Sequence, residues 1–155
     1  MKRWRAALIA VSVSTAAFPA FAQTGDATQL VDAQVRHAIN LALRNIHKAL
    51  CGDTACAVAT ADEFVTPPIT LDQARTAINT GVLSGTAQWC GLDWKQRLFL
   101  PMMSRFVAEA QPTDRQRALF TLLHGIYQGQ VSASLAPRGA CPDDVKAGIE
   151  KRMAE

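Results

Sequence analysis

The sequence predicts an all-α protein, a compact bundle of about five helices stapled by two disulfides. Three observations predict it. Apolar residues recur at helical rather than alternating spacing, capping signatures open three segments, and four cysteines follow an export leader.

The leader has the three parts of a secretory signal. Lys2, Arg3 and Arg5 form a positive start, residues 6–18 an apolar run, and Ala20-Phe21-Ala22 the small-x-small pattern that a signal peptidase reads. The apolar run is shorter than the roughly 20 residues that span a bilayer. Cleavage after Ala22 is expected, leaving residues 23–155 as a single helical domain in the periplasm or outside the cell. Three of the 16 basic residues leave with the leader, so 13 basic residues face 13 acidic ones in the mature chain. That balance argues against nucleic acid or an anionic membrane as partner.

From about residue 28 to 50, Val31, Val35, Ala38, Ile39, Ala42, Ile46 and Leu50 mark one helical face. Arg36, Arg44 and Lys48 take another face, a solvated side or a surface for an acidic partner. Gly52 stands where a helix-ending glycine belongs. Residues 60–68 read as a loop, because Pro67-Pro68 cannot continue a helix. Thr70, Asp93 and Thr113 each precede a Gln by three residues, the spacing of a capping box. They open helices expected over 71–89, 94–110 and 114–135, with Pro101 kinking the second. A last helix starts at Pro142, with Asp143 and Asp144 in its positive first turn. No strand pattern is evident.

Gly81 with Gly85, and Gly125 with Gly129, sit four apart inside predicted helices. Glycine there costs about 1 kcal/mol against alanine, so close packing of the 71–89 helix on the 114–135 helix is expected at both pairs. A groove admitting a partner is the alternative. Ile78, Val82 and Trp89 are expected on one core face, Trp94, Leu98, Met102 and Phe106 on the next, and Leu119, Leu122, Leu123 and Ile126 on the fourth helix. Trp89 and Trp94 are expected to pair over a disulfide.

Cys51, Cys56, Cys90 and Cys141 all lie in the mature chain. An exported chain with an even number of cysteines reads as disulfide-bonded. Cys51–Cys56 across turn-forming residues and Cys90–Cys141 between two helix ends are the favoured pairs. A zinc site from His47, Cys51 and Cys56, completed by Cys90, His124 or Cys141, is the alternative. No metal and no cofactor is predicted.

No nucleophile elbow, zinc-protease helix, haem attachment motif or phosphate loop occurs. His124 is the candidate for chemistry, because it shares a face with Tyr127 and Gln128 on a mostly apolar helix. It is a border residue of the core or, with a carboxylate such as Asp114, a proton-transfer site. The stretch from Trp89-Cys90 through Leu123-His124-Gly125 to Cys141-Pro142 resembles small exported proteins of proteobacteria. Gly125, Gly129 and Ala133 followed by Cys141-Pro142 are similar to the periplasmic immunity proteins that block type VI secretion effectors. That likeness covers about 20 residues and implies a protein partner, with no residue roles to carry over.

The expected function is a non-enzymatic protein-binding module such as an inhibitor, immunity or accessory protein, its partner another envelope or secreted protein. A small envelope enzyme, for instance a hydrolase using His124, is the alternative. A chaperone-like stress protein is a further one; it would need packing that loosens in acid, and few buried histidines are available for such a switch.

Overall fold

Capping side chains do turn back on the backbone where the sequence puts them. The structure, a computed structural model, describes residues 30–154. The predicted leader, its cleavage site, residues 23–29 and Glu155 lie outside the described residues. Thr70 Oγ1 accepts from the Gln73 N–H while Gln73 Oε1 accepts from the Thr70 N–H, at 3.1 and 2.9 Å. Thr113 and Gln116 repeat the exchange at 3.3 and 2.8 Å. Asp93 Oδ1 takes the Gln96 N–H at 3.1 Å.

Six α-helices result among the described residues: α1 Asp32–Asn45, α2 Ala61–Val65, α3 Leu71–Trp89, α4 Leu100–Ala110, α5 Asp114–Leu135 and α6 Asp143–Arg152. The first helix is shorter than expected. It ends at Asn45, passes through a 3₁₀ turn over Ile46–Lys48, and gives way to a two-stranded hairpin, β1 Leu50–Cys51 with β2 Thr54–Ala55. Gly52 therefore ends no helix. It takes φ +67° at the hairpin turn, where a side chain would be strained. A two-residue strand is too short to show alternation, so its absence from the sequence reading follows from its length.

The supposed loop at 60–68 holds α2. Thr60 donates its N–H to Glu63 Oε2 at 2.9 Å, a fourth box that Pro67-Pro68 obscured because they stop the helix after one turn. Glu63 also pairs with Arg115 of α5, whose Nη1 reaches the Ala57 carbonyl at 2.9 Å. This ties the 57–68 segment to the bundle. Arg115 holds the Glu63 carboxyl below its ordinary range, outweighing the effect of burial.

Pro101 has no N–H to give the turn before it. Leu100 N–H instead bonds to the Lys95 carbonyl, five residues back, and Lys95–Phe99 form a π turn leading into α4. The expected kink is thus a change of hydrogen-bond register.

Helices α3 and α5 form the centre. A Cβ added at Gly81 would lie 2.5 Å from the His124 carbonyl oxygen, and one at Gly85 would lie 2.5 Å from that of Gln128. Only glycine permits this approach. The second pair corrects the sequence reading: a Cβ at Gly125 or Gly129 meets nothing within 4 Å, and both glycines are exposed. The face of α5 turned to α3 carries His124, Tyr127 and Gln128. The core gathers Val35, Ile39, Leu43 and Ile46 of the first helix and its 3₁₀ turn around Ile78, Leu119, Phe120 and Leu123. Val31, which precedes α1, and Leu50 of β1 are exposed at 61% and 66%, and Val82 is exposed at 40% because small residues (Ala74, Ala77, Gly81, Ser84) carry the inner face of α3.

Both favoured disulfides are present, Cys51–Cys56 and Cys90–Cys141, each with Cα atoms 4.9 Å apart. All four thiols are consumed in them, so the zinc alternative loses its sulfur ligands. Trp89 and Trp94 do not pair. Trp89 Nε1 donates to the Gly139 carbonyl at 2.8 Å, and Trp94 stacks on His124.

Candidate functional site

Two polar side chains are buried among the described residues, and they meet. His124 Nε2 lies 3.0 Å from Ser84 Oγ across the α3–α5 contact. Glycine at 81 and 85 brings the backbones close enough for Ser84, between them on the inner face of α3, to reach the ring. The π turn closes the remaining side. Trp94 stacks on the imidazole at 5.8 Å between centroids and 28° between planes, and Phe99 lies at 4.9 Å and 48°.

Ser84 is fully buried and His124 is 2% exposed. Burial lowers the imidazole pKa from 6.5 to about 4, because a charge there would lose its hydration. The ring is therefore neutral at pH 7, one nitrogen a donor and the other an acceptor. A neutral histidine on a serine hydroxyl is the first half of a nucleophilic site. The second half, a carboxylate orienting the ring, does not come from Asp114. That residue lies ten positions earlier on α5, about 15 Å along the axis, and pairs with Arg117. No space for a substrate opens at Ser84 Oγ.

The other residues singled out from sequence scatter. Tyr127 packs beside Gly81, and burial raises its pKa. Gln128 donates to Gln88 Oε1. Arg36, Arg44 and Lys48 are exposed along α1 and its 3₁₀ turn, with Lys48 Nζ donating to Asn45 Oδ1 at 2.9 Å. They form a solvated side and do not join His124.

On the opposite side of α5, at the exposed Gly125 where the sequence left open a groove for a partner, lies an apolar surface. Leu50 of the hairpin, Met103 of α4 and Leu122 of α5 line one shallow apolar depression with Ala49 and Gly125. Leu100 and Val107 stand three and four positions from Met103 on α4, and they are 39% and 42% exposed. Thr121 Oγ1 donates to Met103 Sδ at 3.6 Å, joining α4 to α5 beneath it. The exposed Gly125 keeps this face flat.

Comparison with protein-family models, with curated proteins and with solved structures returned no match. Residue chemistry and geometry alone therefore carry the functional reading.

Proposed function

We propose that this protein is an exported, non-enzymatic binding module whose partner is another envelope or secreted protein, as for an inhibitor, immunity or accessory factor. The observation that carries the reading is the apolar depression lined by Leu50, Met103 and Leu122, with the exposed Leu100 and Val107 one turn either side of Met103 on α4. A folded domain with a closed core gains nothing by leaving such residues together in water. Contiguous apolar surface of this kind is a mark of protein contact. Two disulfides fit an oxidising compartment outside the cytoplasm, and residues 1–22 supply the route there as a cleaved signal.

The partner offers a complementary apolar patch. The test is capture from an envelope extract with the wild type and with a Leu50→Asp/Val107→Asp variant. Both changed side chains are exposed, so the fold should survive. A protein held by the wild type and lost by the variant supports the reading. Equal capture by both, or association of the chain only with itself, refutes it.

The enzyme reading keeps one supporting observation, the 3.0 Å contact between Ser84 and His124. It requires the π turn to open, because Trp94 and Phe99 cover the ring. Hydrolysis of an ester reporter that disappears in both Ser84→Ala and His124→Asn would favour it.

A further inference from the structure

Away from the apolar face, a cavity of about 720 Å³ lies between α3, the π turn with α4, and the end of α6. That volume falls within the range of small-molecule sites, roughly 300–1,000 Å³. Its floor is apolar. Phe106 and Phe120 stack there with centroids 3.9 Å apart, and Leu98, Met102 and Met153 continue the lining. Its rim is cationic, with Arg97, Arg105 and Arg152 facing, among the described residues, one carboxylate, Glu109.

Among the described residues none of these guanidinium groups is in an ion pair; the ion pairs there use Arg75, Arg115 and Arg117. Arg97 makes one long contact, from Nη2 to the Glu150 carbonyl at 3.5 Å. Two different helices and the π turn thus bring three positive charges to one opening, although the chain after residue 22 is neutral overall. A cleft with apolar walls concentrates the field of such charges. Guanidinium is also the side chain best shaped to hold a carboxylate by two hydrogen bonds. Thr76, Thr80 and Gln73 on the α3 wall supply neutral hydrogen-bonding groups without opposing charge.

The geometry points to a binding site for a small amphiphilic anion, a single acyl chain lying over the Phe106–Phe120 floor with its carboxylate between Arg105 and Arg152. This goes beyond the protein-binding reading and uses a different face, so either can fail alone.

The probe is dodecanoate, titrated into the purified protein below its micelle concentration and followed by calorimetry. Saturable one-to-one binding is expected. It should weaken about tenfold or more in Arg105→Ala and in Arg152→Ala, since each removes a charge-assisted hydrogen bond. Both side chains are exposed, and an unchanged melting curve shows that the fold persists. Dodecyltrimethylammonium, with the same chain and the opposite charge, should bind at least tenfold more weakly than dodecanoate to the unaltered protein. Failure of dodecanoate to bind, binding indifferent to both arginines, or equal binding of the cation overturns the assignment.

Discussion

Replacing Gly81 by Ala should destabilise the protein, whereas the same change at Gly125 should stabilise it. Both residues lie inside long helices, where the exchange ordinarily gains about 1 kcal/mol. At Gly125 the new methyl enters open space, so most of that gain should appear. At Gly81 it would stand 2.5 Å from the His124 carbonyl oxygen and 3.2 Å from its Cα, both backbone atoms. An ordinary contact begins at 3.4 Å, so α3 and α5 must separate by most of an ångström. Overpacking of this kind costs about 1–3 kcal/mol, and it also stretches the Ser84–His124 contact one turn away. Net of propensity, Gly81→Ala should lose up to about 2 kcal/mol. For a domain of this length each kcal/mol moves the melting temperature by about 4 °C. Thermal melts followed by circular dichroism should show Gly125→Ala up to about 4 °C above wild type and Gly81→Ala up to about 8 °C below. A Gly81→Ala protein that melts as high as Gly125→Ala refutes the close α3–α5 approach.

Removing Cys90–Cys141 as a Ser pair should cost about 4 kcal/mol and removing Cys51–Cys56 about 2, because the longer loop restricts the unfolded chain more. The two melting shifts, measured side by side, check the order. Native oxidised protein should present no thiol to iodoacetamide, and its intact mass should lie about 4 Da below that of the reduced chain. His124 should make the fold acid-sensitive. The unfolded chain takes up a proton at this histidine near pH 6.5, the folded chain only near 4. Its contribution is therefore complete above pH 6.5 and is lost as pH falls towards 4, by at most about 3 kcal/mol. Urea midpoints at pH 7 and 4.5 should differ more in wild type than in His124→Asn, and equal differences would contradict the buried, neutral ring.

Helices α3 and α5, Cys51–Cys56 and three of the four helix-start caps were legible because each rests on local spacing, and Cys90–Cys141 was the pair that remained, joining two helix ends. A Thr three residues before a Gln has one use at a helix start, and a cysteine pair around Gly52 closes easily over a turn. What escaped depends on partners distant in sequence. Gly81 and Gly125 look alike in the sequence, and only the packed structure decides which of them lies in the α3–α5 contact. Ser84 drew no notice because a serine between glycines reads as one more small residue. Its meaning comes from His124, forty positions away. The two tryptophans flank Cys90, but one turns to Gly139 and the other to His124, a divergence set by the π turn that Pro101 imposes. Arg97 and Arg105 alternate along the chain with the apolar stripe of Leu98, Met102 and Phe106. Their convergence with Arg152 needs the last helix in place.

The central claim is that function resides on the exterior of the bundle and that the Ser84–His124 contact is part of its interior. Complementation of a strain lacking the gene tests this most directly, using two variants first shown to be folded by their melting curves. The account predicts that His124→Asn, which keeps hydrogen-bonding capacity toward Ser84, restores the wild-type phenotype, and that Leu50→Asp/Val107→Asp does not. A folded His124→Asn protein that fails to rescue, beside a surface variant that rescues fully, would contradict it.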